Sequence, residues 1–127
     1  MEQEQNRVIR DARQPGSEHR KHTRVRVSWR AQIASSTGAI EARVVDVAEQ
    51  GIGLMCGHAI PKGMLVDVVV AIPDLSGKHL TQTVSVQAQI MFTHFAAGQC
   101  RLGTQFTRVS ATTQALIVQH VEAGKPA

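Results

Sequence analysis

From Arg24 the chain alternates strictly. Val25, Val27, Trp29, Ala31 and Ile33 fall on one side, and Arg24, Arg26, Ser28, Arg30 and Gln32 fall on the other. A period of two held over ten residues is the pattern of a half-buried β-strand. Ser35-Ser36-Thr37-Gly38 then supplies turn chemistry, and a second strand follows with Ile40, Ala42 and Val44 on one face and Glu41 and Arg43 on the other, so the two form a hairpin. Gly51 opens the next apolar run, Ile52, Leu54 and Cys56, and Pro61-Lys62-Gly63 turns the chain again. Leu65 to Ile72 is β-branched and nearly all apolar apart from Asp67, which predicts a well-buried strand. From Leu80 to His94 alternation returns, with Val84, Val86, Ala88, Ile90 and Phe92 inward and Thr83, Ser85, Gln87 and Gln89 outward. Ala96-Ala97-Gly98 turns into a last strand of Cys100, Leu102, Thr104 and Phe106. Six strands with short connections and no helix between them predict an antiparallel or mixed sheet, and a small barrel hides its edges best. Beyond Ser110, a candidate N-cap, the period changes. Ala115, Leu116, Ile117, Val118 and Val121 recur at helical spacing, and Gly124 and Pro126 stop the element. Its packing face is expected to be Leu116, Ile117, His120 and Val121.

Composition sharpens this picture in two ways. Hydrophobic residues make up 43% of the chain and aromatics only 3%, so the core must be aliphatic and a planar ligand meets few stacking partners. At 127 residues the chain supports one domain. Charge is unevenly placed: residues 1–30 carry eight Lys and Arg against four acids, whereas the other 97 residues carry six of each. The whole net charge of +4 thus belongs to the N-terminal part, which marks it as the anion-binding end. Residues 1–19 are polar and broken by Pro15-Gly16-Ser17, and they cannot bury enough surface to fold alone; they are read as a flexible arm, with residues 20–124 as the domain. Cys56 and Cys100 have no CxxC spacing, which suggests neither a disulfide framework nor a zinc site. No stretch approaches eighteen consecutive apolar residues and no apolar signal region opens the chain, so membrane insertion is not expected and a cytoplasmic protein is.

Two short motifs carry the candidate chemistry. In His19-Arg20-Lys21-His22-Thr23-Arg24, two arginines stand four apart where the arm meets the first strand; in Asp46-Val47-Ala48-Glu49-Gln50-Gly51, an acid and a glycine bracket a tight turn. An arginine fork can hold a phosphate or the O6/N7 edge of guanine, and a carboxylate can accept from guanine N1 and N2 on the other edge. Read in order, the two motifs resemble the RxxxR and [DN]xSxxG signature of PilZ domains, bacterial receptors for cyclic di-GMP. Arg101-Leu102-Gly103-Thr104-Gln105-Phe106 also resembles the family's G-x-x-F ending, so the resemblance runs from about Arg20 to Phe106.

The resemblance implies a mainly β fold, a small six-stranded antiparallel barrel with one C-terminal helix. It implies cyclic di-GMP as ligand, no cofactor, and a site of Arg20, Arg24, Asp46, Ala48 and Gly51, with Asp46 as the guanine acceptor and Gly51 acting through backbone geometry. Ala48 stands where the family has serine; loss of one hydrogen bond, about 0.5–1.5 kcal/mol, predicts binding that is weaker but retained. His19, just before the first arginine, leaves ligand stoichiometry open. Lys21, Arg26, Met91 and Phe92 are secondary candidates: Arg26 shares the outer face with Arg24, and of Met91 and Phe92 one faces the core and the other the outside, with either left open as the one that borders the ligand. The function implied is that of an adaptor, monomer or weak dimer, whose arm folds over the ligand and changes the surface offered to an effector protein in motility, exopolysaccharide or biofilm control. The alternative is a PilZ-like interaction module that no longer binds the ligand. DNA binding is not expected, since the barrel is charge-neutral and offers few rings for stacking. No Ser-His-Asp order, carboxylate pair or phosphate-cradling glycine loop marks an enzyme, and no third ligand accompanies His19 and His22 for a metal.

Overall fold

The computed structural model describes residues 23–76 and 80–124. Six strands follow one another, β1 (Val25–Ser35), β2 (Gly38–Ala48), β3 (Gly51–Cys56), β4 (Leu65–Pro73), β5 (Thr81–Ala96) and β6 (Gln99–Arg108), and one helix closes the chain, α1 (Ala111–Ala123). All pairings are antiparallel, in the order β1-β2-β3-β6-β5-β4, and β4 returns to β1 to complete a closed barrel. Closure leaves no strand edge open to another chain. The expected architecture is therefore the observed one. The arm assigned to residues 1–19, together with His19, Arg20 and Lys21, lies outside the described residues.

Branched aliphatic side chains fill the barrel: Ile33, Val44, Val47, Leu54, Val68, Ile90 and Leu102 are all fully buried. Trp29 is the core's one large aromatic among the described residues, and its ring meets that of His120 edge-on at 4.9 Å between centroids. His120 in turn donates from Nε2 to the carbonyl of Pro73 at 2.9 Å, tying α1 to the end of β4. The helix begins as expected at Ser110, whose hydroxyl oxygen accepts from the Thr113 amide at 3.1 Å. Ile117, His120 and Val121 of its expected face are buried, Leu116 is half-buried, and Thr113 joins them. Cys56 and Cys100 are buried free thiols that face each other in register across β3 and β6, and burial pushes the Cys56 thiol up.

One strand is less buried than expected. β4 is not buried on both faces, for Val66, Val68, Val70 and Ile72 point into the barrel while Leu65 (56% exposed), Asp67 and Val69 (38% exposed) point out. A continuous apolar run signals two-sided burial only when a second layer covers the sheet, and the outer face of a small barrel meets water.

Tight turns set the register. The β5–β6 hairpin closes through Ala97 (φ 53°) and Gly98 (φ 78°), two successive left-handed residues as a type I′ turn requires. Alanine is strained there by about 1 kcal/mol, whereas asparagine tolerates the conformation. Ala97→Asn is expected to raise the melting temperature by about 2–4 °C, measured by thermal unfolding; an unchanged or lower value would count against the turn assignment.

Candidate functional site

Irregularities in the strand pairing aim the site. Val44 and Val47 both lie fully inside the barrel although they are three residues apart, an odd spacing that uninterrupted alternation forbids. A β-bulge resolves the conflict: Val45 is an extra residue between the pairs Val44↔Leu54 and Asp46↔Gly53. Even spacing from Val44 would drive Asp46 into the apolar core, and the bulge instead turns it to the outer wall near the end of β2. Met91 does the same in β5, where Ile90 pairs with Thr104 but Phe92 pairs with Gly103. Phe92, expected inward, is 42% exposed, and Met91 is exposed as well, so both border the outside. The phase shift at the bulge is the reason.

These re-aimed side chains meet over a floor that has none. Gly53 and Gly103 are direct partners across β3 and β6. A Cβ on Gly103 would enter the ring of Phe92, and one on Gly53 would collide with Asp46 Oδ1 and the Arg101 guanidinium. The two glycines thus let the ring and the ion pair lie directly on the backbone. Gly51 serves differently: its Cβ position is occupied by the backbone carbonyl of Thr104, so glycine there permits the approach of β3 to β6.

Above this floor lies a cavity of about 680 Å³, within the usual range for small-ligand sites. Arg24, Asp46 and Arg101 make its charged wall, Met91 and Phe92 its apolar one, and Ala48 and Gly51 line it from the β2–β3 turn. Asp46 is the hub. Its Oδ2 accepts from Arg101 Nη2 at 2.5 Å, and its Oδ1 lies 3.5 Å from Arg24 Nη1, an ion-pair distance without hydrogen-bond geometry. Oδ1 is buried and accepts no hydrogen bond from the described residues, although the side chain as a whole is 15% exposed. A carboxylate oxygen left in that condition favours any N–H donor able to reach it. Asp46 therefore forms no turn with its own backbone; it sits within β2, ahead of the two-residue turn Glu49-Gln50.

Of the candidates that fall among the described residues, Arg24, Asp46, Ala48, Gly51, Met91 and Phe92 come together in this cavity. Arg26 does not line it, although it lies opposite Asp46 in register on the exposed face of β1. The residue that sequence reasoning missed is Arg101. Alternation of Cys100, Leu102 and Thr104 places it on the outside of β6, but nothing local says that β6 lies one strand from β2, nor that Gly53 between them has no side chain to block the contact.

A PilZ domain family model matches residues 18–123. Among solved structures, the inhibitor of motility MotI/DgrA of Bacillus subtilis superposes with a TM-score of 0.70 at 14% identity, covering 84% of this chain and 51% of that one, so this chain spans about half its length. The PilZ domain of Escherichia coli YcgR with c-di-GMP superposes with a TM-score of 0.65 at 16% identity, covering 84% and 92%. YcgR in complex with c-di-GMP gives 0.65 at 17%, covering 84% and 46%. No curated protein matches the chain.

Proposed function

The chain belongs to the PilZ domain family, and from that premise we propose that it is a receptor for cyclic di-GMP that acts as an adaptor rather than an enzyme. The observation that carries this reading is the meeting of Arg24, Asp46 and Phe92, from three different strands or strand ends, on one cavity with an acceptor oxygen unused. Arg20 and Arg24 hold phosphates and purine edges with their forks, Asp46 accepts from guanine N1 and N2, and the chain preceding Arg24 closes over the ligand. Solved structures of the same fold that carry c-di-GMP support the ligand's identity. No helix among the described residues is long and apolar enough to cross a membrane. We place the protein in the cytoplasm, where ligand-dependent rearrangement of its surface engages or releases an effector of motility, exopolysaccharide or biofilm output.

Calorimetric titration of cyclic di-GMP into the intact protein tests this. Saturable heat is expected from the parent protein, and it is expected to vanish for Arg20→Ala. Ala48 lines the cavity at the family's serine position, so Ala48→Ser is expected to tighten binding about two- to tenfold by restoring one hydrogen bond. Ala48 also favours a second reading, a protein-interaction module that has lost its ligand. Absence of both heat and competition at high micromolar ligand from the parent and from Ala48→Ser would remove the first reading and leave the second.

A further inference from the structure

Arg101 lies outside both sequence motifs, yet its guanidinium is held from several sides at once. Its Nη2 donates to Asp46 Oδ2 at 2.5 Å, and its Nη1 donates to the carbonyl of Leu102 at 3.3 Å, anchoring the guanidinium to its own strand. The Phe92 ring lies beneath its Cζ at 6.0 Å from the centroid, within cation–π reach. Gly53 is without a side chain where those guanidinium nitrogens pass. Strands β2, β3, β5 and β6 therefore all shape its position. Arg24, by contrast, stands one residue before β1, stays 3.5 Å from Asp46 Oδ1, and makes no hydrogen bond to it.

We propose that Arg101 is a positioning residue for ligand recognition: it holds Asp46 Oδ2 against the barrel wall so that Oδ1 is presented, unbonded, to the ligand's N–H donors. The two arginines of the wall divide the work. Arg101 stays with the scaffold, and Arg24 is free to leave the carboxylate for the ligand's phosphate. A carboxylate pinned by one oxygen loses less rotamer freedom when the second accepts its bond, which raises affinity without a new ligand contact. The inference rests on the cyclic di-GMP reading for its ligand, but the pinning itself is a property of the free protein.

The test is a double-mutant cycle read by calorimetric titration of cyclic di-GMP, with Arg101→Ala, Asp46→Asn and the pair together. Arg101→Ala is expected to weaken binding about tenfold or more in the parent and less than about threefold in the Asp46→Asn background, because its effect passes through the carboxylate. Arg101→Lys, which keeps the charge but not the fork, is expected to recover part of the loss while thermal stability stays with the parent. An Arg101→Ala effect that persists undiminished in Asp46→Asn would overturn the proposal in favour of direct ligand contact, and parent-like affinity of Arg101→Ala would overturn it outright. In the ligand-free protein, the Arg101 Nη–H resonances, whose nitrogens bond Asp46 Oδ2 and the Leu102 carbonyl, are expected to exchange slowly with water and to lose that protection in Asp46→Asn; equal protection in both refutes the pinning. This last measurement needs no ligand, so it separates failure of the positioning role from failure of the cyclic di-GMP reading.

Discussion

Replacing Arg24 by alanine is expected to weaken cyclic di-GMP binding by roughly thirty- to several-thousand-fold while leaving the fold intact. The magnitude comes from truncating one partner of a desolvated, hydrogen-bonded charge pair, which costs about 2–5 kcal/mol. In the free protein Arg24 stabilises little. Its side chain is 34% exposed and its Nη1 lies 3.5 Å from Asp46 Oδ1, a partly solvated contact of the kind that contributes about 0–1 kcal/mol. Ligand affinity and melting temperature should therefore separate, with a large loss in the first and a change of no more than a few degrees in the second. Arg24→Lys should fall between, since a point charge attracts phosphate but cannot match two oxygens with a planar fork. Calorimetry and thermal unfolding on the same samples check this. An Arg24→Ala affinity within threefold of the parent would remove Arg24 from the site.

Alanine at Gly51 is expected to do the opposite, damaging the fold first. The new Cβ would lie on the Thr104 carbonyl, with the Thr104 carbonyl carbon at 3.1 Å and Gln105 Cα at 3.2 Å. All three are backbone atoms, so relief requires β3 and β6 to part where Gln50 O also accepts from the Phe106 amide at 2.8 Å. Overpacking of this kind costs about 1–3 kcal/mol, or about 3–12 °C in melting temperature for a domain of this size. Gly53→Ala offers the informative contrast. The atoms nearest its Cβ would be the tips of the Asp46 and Arg101 side chains rather than backbone, and side-chain tips can swing aside. It should melt close to the parent yet bind ligand poorly, because the carboxylate has been displaced. If both variants melt alike, the assignment of Gly51 to strand approach and Gly53 to the site is wrong.

The contrast between these glycines shows where local pattern stops informing. Gly51 and Gly53 look equivalent along the chain, flanking Ile52 as the backbone turns into β3, and both suit a close approach. What each approaches is set by β6, half a chain away in sequence, and by a carboxylate that a bulge has rotated outward. Phe92 illustrates the same limit from the other side. Its place in the run Val84, Val86, Ala88, Ile90 predicts burial, and one inserted residue, Met91, reverses it. A bulge costs a strand little and leaves no compositional mark, so the phase beyond it is invisible to periodicity.

Alternation of β-branched and polar residues, turn residues at short intervals and a capped terminal helix determined by themselves that this chain is a six-stranded barrel with one helix, because burial has the same period as the backbone that produces it. The two motifs likewise marked Arg24, Asp46 and Gly51 by residue type and order alone. Three things were decided only in the folded chain: the outward aim of Asp46 and Phe92, the bare glycine floor on which they lie, and the recruitment of Arg101 to the carboxylate. Each depends on which strands become neighbours when the barrel closes, and closure joins residues as far apart as Asp46 and Arg101, whose proximity no local spacing encodes.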